Sequence, residues 1–99
     1  MDKIAAINDS RKYAEHVKKY FPECRIILYG SYANGNPDND SDIDIAVVFN
    51  GFSGDWLQTS SQLWKETESV NTKIEPVLLD ENKDASGFCE HVIETGIEL

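Results

Sequence analysis

Apolar residues recur at helical spacing near the start of the chain. Positions three or four apart carry Tyr13, Val17, Tyr20 and Phe21. This spacing predicts a first helix over residues 8–20 with its apolar side toward the core. Asp9 or Ser10 is expected to cap the start of this helix, and Pro22 is expected to end it.

Short runs of branched apolar residues predict three strands, over residues 25–29, 43–49 and 73–79. The second run is apolar at every position after Asp44, which indicates burial on both faces of the sheet. Residues 34–40 are dense in turn-forming side chains and predict a loop between the first two strands.

Three more helical segments are predicted: a short turn at residues 31–35, a helix over residues 55–68 and a final helix over residues 88–94 that stops at Gly96. We interpret the apolar side of the middle helix as core packing rather than a base-stacking surface. This side carries Trp56, Leu57, Leu63 and Trp64. The order of elements predicts an α/β (α+β) fold, with a small mixed sheet of about three strands flanked by helices.

Composition narrows the class of protein. A length of 99 residues, 40% of them apolar, predicts one domain over residues 1–99 with a real core. The net charge of −9 argues against direct binding of nucleic acid, and no apolar run approaches the ~20 residues of a membrane span. Cys24 and Cys89 are too few for a disulfide framework or a zinc site, and the N-terminus lacks an apolar leader, so we expect a cytoplasmic protein.

The stretch from residue 28 to residue 49 carries the candidate chemistry. Gly30 and Ser31 stand ten residues ahead of Asp42-Ile43-Asp44. An EF-hand loop would need other residues at its sixth and twelfth positions, a Walker A loop needs a lysine after its second glycine, and a nucleophile elbow needs a different glycine spacing. None of these three motifs fits.

Alternation along a strand places Asp42 and Asp44 on the same face. Two carboxylates side by side repel each other unless a cation compensates them, and Mg²⁺ is the usual oxygen-seeking ion. Gly30 allows a tight turn at the end of a strand, where backbone N–H groups and the Ser31 hydroxyl can meet a phosphate. A phosphate cradle beside metal-binding acids indicates phosphoryl or nucleotidyl transfer. The alternative is a turn-capping Asp42 and a solvated Asp44.

This pattern resembles the minimal nucleotidyltransferase family of the DNA polymerase β-like superfamily. The family pattern is an apolar residue followed by Gly-Ser, about ten residues, and then Asp-x-Asp on the next strand, as in Tyr29-Gly30-Ser31 and Asp42-Ile43-Asp44 here. The family also has a third carboxylate on the following strand, where this chain has Glu75. The resemblance covers nearly the whole chain and implies the polymerase β-like nucleotidyltransferase fold.

The resemblance implies a role for each of these residues. Gly30 and Ser31 would hold the phosphates of ATP, and Asp42 and Asp44 would bind two Mg²⁺ ions, with Mn²⁺ as an alternative. Glu75 would be a metal ligand or the base that takes the proton of the attacking hydroxyl; both roles stay open. Asp80 competes for the third position, although strand alternation puts it on the face opposite Glu75.

The family also implies a partner. Its members often pair with a small helical HEPN protein as antitoxins, so we expect AMP transfer from ATP to a hydroxyl on such a protein. The acidic chain suits a basic partner, and a homo-oligomer stays open. Two other functions remain: a binding module that neutralises its partner by masking alone, and a nucleotidyltransferase that modifies small molecules such as antibiotics.

Overall fold

The computed structural model describes residues 2–38 and 40–99. Met1 and Asn39, which belongs to the predicted loop, lie outside the described residues. The helices are α1 (Lys3–Tyr20), α2 (Ser31–Asn34), α3 (Trp56–Thr67) and α4 (Phe88–Thr95). The strands are β1 (Arg25–Tyr29), β2 (Ile43–Phe49), β3 (Ile74–Asp80) and β4 (Ile97–Glu98), and a 3₁₀ turn spans Glu81–Lys83.

The four strands form one mixed sheet in the order β3-β2-β1-β4. β1 runs antiparallel to both β2 and β4, whereas β2 and β3 are parallel. β2 is therefore a central strand, which is why all of its positions after Asp44 are buried, as predicted. β3 lies at one edge of the sheet, where Pro76 is tolerated although it cannot donate a hydrogen bond.

Each face of the sheet is covered by different helices. One face packs against α1 and α3 and includes Ile26, Leu28, Ile45 and Val47, together with Leu63 of α3. The other face packs against α4 and includes Ile27, Ala46 and Val48, together with Cys89 and Val92 of α4. Alternate residues of a strand thus enter two separate cores, as strand geometry requires.

The long helix α1 begins earlier than the sequence predicted. Its N-cap is Asp2, whose carboxylate accepts a hydrogen bond from the Ala5 N–H at 2.7 Å. Asp2 thereby pairs one of the N–H groups that every helix start leaves without a partner inside the helix. Asp9 and Ser10 lie inside the helix, and the buried Ser10 hydroxyl donates to the Ala6 carbonyl instead.

The predicted count of about three strands was one short. β4 is only two residues long, and a pair of residues carries no periodic pattern to detect. It follows α4 after Gly96, at which an added Cβ would collide with Ile27 and with two backbone carbonyls. Gly96 thus ends the helix, as predicted, and also lets the chain pass close beside β1.

The prediction that Trp56 and Trp64 pack in the core was wrong. Trp56 is 45% exposed, Leu57 77% and Trp64 49%, whereas only Leu63 of the predicted apolar side is buried. Trp56 still packs edge-to-face on Phe52, with ring centroids 5.3 Å apart. We call the exposed side of α3, formed by Trp56, Leu57, Ser60, Ser61 and Trp64, the α3 surface.

Candidate active site

The predicted acids lie at one end of the sheet, on the face that α4 covers. Asp44 is directly opposite Tyr29 of β1 and Glu75 of β3, so these three residues form a row across neighbouring strands. Neighbouring strands are about 4.8 Å apart, which brings the two carboxylates close together. Asp42 precedes β2 by one residue and follows the same alternation. The structure therefore brings Asp42, Asp44 and Glu75 to the same end of one sheet face.

Gly30 packs closely against Asp44 at this end of the sheet. It has a φ of +76°, in the left-handed region that favours glycine, and it turns the chain from β1 into α2. A Cβ at this position would overlap the Oδ2 atom of Asp44. The Gly30 carbonyl accepts hydrogen bonds from the N–H groups of Ala33 and Asn34, which fixes Ser31 at the start of the following turn. Gly30 thus lies against Asp44, and Ser31 is the next residue along the chain.

The acids perturb one another electrostatically. Burial, followed by the charge of Asp42, raises the pKa of Asp44. Partial loss of water, the charge of Asp42, a hydrogen bond with Asp42 and the charge of Asp44 together raise the pKa of Glu75. Like charges held together in this way favour either a shared proton or a bound cation.

The donor set fits a hard divalent cation. In the described residues 2–38 and 40–99, no group of three or more His, Cys, Asp or Glu side chains is placed so that it could hold a metal ion as it stands. Mg²⁺, however, usually takes only one or two protein carboxylates and completes its shell with water and substrate phosphates. Asp42 and Glu75 are exposed and Asp44 is half-buried, so their oxygens are accessible to such ligands.

Asp80, the competing acid, does not belong to this site. It is buried on the opposite face of β3 and accepts hydrogen bonds from the N–H groups of Gly51, Phe52 and Asn82, each at 3.0 Å. The hydrogen bond from Asn82, followed by those from Phe52 and Gly51, holds the pKa of Asp80 below its usual range. The residue anchors the turn after β2, and the alternation argument against it is confirmed.

Tyr29 is a site residue that the sequence reasoning did not single out. Burial, and then the charges of Asp44 and Glu75, raise the pKa of its hydroxyl. Its ring packs edge-to-face on Phe88, the first residue of α4, with centroids 5.7 Å apart. The signal was present in the strand pattern, since Tyr29 is the last residue of β1 and immediately precedes Gly30.

A mixed sheet with helices on both faces, carrying acids beside a glycine-serine turn, defines the class of polymerase β-like nucleotidyltransferases. The family model described as "Polymerase beta, Nucleotidyltransferase" matches residues 12–99. The chain belongs to this family. The predicted fold and the predicted membership of the polymerase β-like nucleotidyltransferases are both confirmed.

Solved structures share the fold. A candidate nucleotidyltransferase from Sulfolobus solfataricus superposes with a TM-score of 0.70 at 22% identity, over 97% of this chain and 80% of that one. A mutant of the toxin-antitoxin MntA-HpeT gives a TM-score of 0.64 at 25% identity, over 90% of this chain and 69% of that one. A toxin-antitoxin with AMP-PNP gives 0.63 at 23% identity, over 88% and 69%. No curated protein matches the chain.

No helix within residues 2–38 and 40–99 has both the length and the apolar character that crossing a membrane requires.

Proposed function

We propose that this nucleotidyltransferase moves AMP from ATP to a hydroxyl group on a partner protein, in a Mg²⁺-dependent reaction. The observation that carries the proposal is the row of Asp44 and Glu75, with Asp42 beside it, placed against Gly30. Burial and neighbouring carboxylates raise the pKa values of Asp44 and Glu75, so these two groups gain stability when a cation binds beside them. A glycine-serine turn next to that cation suits a triphosphate.

Each residue has a proposed task. Gly30 and Ser31 hold the phosphates, and Asp42 and Asp44 hold two Mg²⁺ ions, for which Mn²⁺ can substitute. Bound Mg²⁺ would supply positive charge to the phosphates. The raised pKa of Glu75 makes its carboxylate a better proton acceptor for the incoming hydroxyl, and the same side chain is also within the acid group that would hold metal.

The proposed partner is a small helical HEPN-type protein with a basic surface, and the proposed pair is a toxin and its antitoxin. Structural neighbours include the toxin-antitoxin MntA-HpeT, and the net charge of −9 favours a basic partner. The α3 surface suits the contact, because residues 56–64 carry no charge and Trp56, Leu57 and Trp64 are exposed. Leu57, Ser60, Ser61 and Trp64 line part of a groove of about 550 Å³ there.

The test is transfer of label from α-labelled ATP to a helical protein encoded beside this chain, with Mg²⁺ present. We expect label on the partner, and we expect Asp44→Asn to abolish it. Asp2→Asn is the matched control, since Asp2 caps α1, which covers the sheet face opposite the acids. A co-eluting partner that never takes up label, with ATP and Mg²⁺ in excess, would refute the proposed activity.

A masking function is the second candidate, and one observation favours it. The α3 surface lies on the sheet face opposite the acids, so a partner can dock there without any contribution from Asp42 or Asp44. If the Asp42→Ala, Asp44→Ala double variant neutralises the partner as well as the parent does, and no label is ever transferred, masking accounts for the function.

A further inference from the structure

An aromatic pair stands beside the acids. Tyr29 lies in the row with Asp44 and Glu75, and its ring contacts Phe88 at 5.7 Å with an interplanar angle of 83°. In this edge-to-face arrangement at most one face of the Phe88 ring is covered by Tyr29. Phe88 is 41% exposed, so the residue is accessible to a ligand on the sheet face that carries the acids.

The position of Phe88 is fixed by the start of α4. Gly87, in the left-handed region at a φ of +78°, turns the chain into the helix. The Asp84 carboxylate accepts hydrogen bonds from the N–H groups of Cys89 and Glu90, both at 2.9 Å. Cys89 is buried in the core beneath α4, which anchors the turn that carries Phe88. The exposed ring is therefore held by its neighbours on both sides.

The exposure of Phe88 differs from that of the other large apolar residues. In the part of the chain that the structure describes, the remaining exposed ones belong to α1 and α3, which pack on the opposite sheet face. They are Ile4, Tyr20, Trp56, Leu57 and Trp64. Phe88 is thus the exposed aromatic residue that shares its sheet face with Gly30 and the acids.

We propose that Phe88, supported from behind by Tyr29, is the stacking surface for the base of the nucleoside triphosphate. The inference rests on the proposed function, because it takes the phosphates to lie at Gly30 and Ser31 and the triphosphate to lie along the acids. Tyr29 is the residue directly before Gly30, so the aromatic pair lies next to the turn that is proposed to hold the phosphates. A flat base then covers the apolar ring that is otherwise exposed to water.

This mode of binding predicts little discrimination between the two purine nucleotides and weaker binding of a pyrimidine nucleotide. A phenyl ring presents a π-face and no hydrogen-bonding group, so it ranks bases by stacking strength rather than by their edges. ATP and GTP should therefore be used with KM values within about tenfold of each other, and both should bind more tightly than CTP. Phe88 is in this sense a specificity-determining residue that selects purines as a class.

The experiment measures kcat and KM for ATP, GTP and CTP in the parent and in three variants. Phe88→Ala and Phe88→Leu should raise the KM for ATP by about 5- to 100-fold, the range expected for loss of one base-aromatic stack, with kcat changed less than KM. Phe88→Tyr should restore binding to within about threefold of the parent. Tyr20→Ala is the control, because Tyr20 is an exposed aromatic residue of α1, which packs on the opposite sheet face.

The outcomes separate this inference from the proposed function. A parent protein that neither binds nor transfers any nucleotide overturns both. A parent that transfers nucleotide, together with a Phe88→Leu variant whose KM for ATP stays within twofold, overturns the stacking role alone. Phe88→Leu keeps an apolar side chain against Tyr29, and a melting temperature close to that of the parent shows that its effect is on binding rather than on folding.

Discussion

Gly30→Ala tests the close approach of the glycine turn to the acids. The substitution forces an L-residue to a φ of +76° and a ψ of −151°, a combination that is essentially confined to glycine and costs about 1–3 kcal/mol. The new Cβ also overlaps Asp44 Oδ2, so the Asp44 side chain must leave its position. Displacing a side chain from its preferred rotamer adds about 0.5–1.5 kcal/mol. The expected loss of unfolding free energy is therefore about 1.5–4.5 kcal/mol.

A matched glycine separates the two contributions. Gly51 has a similar φ of +81°, but an added Cβ there meets only the amide nitrogen of the Asn82 side chain, at 3.3 Å. Gly51→Ala should therefore carry a backbone cost of positive φ with little of the displacement cost. For a domain of this size, 1 kcal/mol lowers the melting temperature by about 4–8 °C, so thermal denaturation resolves the difference.

Activity gives the sharper readout for the same pair of variants. Gly30→Ala moves Asp44 and obstructs the proposed phosphate turn, so label transfer from ATP should fall by at least about 100-fold. Gly51→Ala should retain transfer once its lower stability is allowed for. If Gly30→Ala is as stable and as active as Gly51→Ala, Asp44 does not lie against Gly30 in the functional protein, and the site geometry is wrong.

Three further predictions concern charge and the core. A carboxyl group with a raised pKa in the folded state contributes stability at low pH, and this contribution is lost as the pH rises through the raised pKa. The pKa of Asp44 is raised, so in Mg²⁺-free buffer at pH 8 Asp44→Asn should have a melting temperature no lower than that of the parent. The same variant should no longer be stabilised by added Mg²⁺. The pKa of Asp80 is lowered, so the stability that this carboxylate gives the fold is lost as the pH falls through its pKa in the folded protein. In urea denaturation, Asp80→Asn should be less stable than the parent at pH 7, and the difference should be smaller at pH 3. Tyr13→Phe removes a buried hydrogen bond of 2.7 Å to the Leu63 carbonyl and should lower the free energy of unfolding by about 1–2 kcal/mol in the same assay. A change near zero would contradict the packing of α1 on α3.

Much of the site followed from strand alternation. A period of two residues is enough to place Asp42 and Asp44 on one face and Asp80 on the face opposite Glu75. The sequence also located Gly30 at the end of β1. It did not reveal that Asp44 presses against that glycine, because the closeness depends on how β1 and β2 pair across the sheet.

The remaining errors share a physical cause. Exposed tryptophans and buried ones produce the same helical spacing, so the pattern of α3 indicated four core residues, of which only Leu63 is buried. The role of Phe88 beside Tyr29 depends on α4 crossing back over β1, a long-range contact that no local pattern encodes. Sequence periodicity shows which residues lie on the same face of a helix or strand, whereas tertiary packing decides whether that face is buried in the core or exposed to solvent.

The position of the α3 surface, with the sheet between it and the acids, has a consequence for turnover. A protein docked on α3 would leave the acids accessible, so docking would hold that protein near the acids without covering them. A flexible segment of that molecule, reaching round the edge of β3, would present its hydroxyl to the acids at a high effective concentration set by the length of the segment. Shortening that segment should then abolish modification while leaving the complex intact.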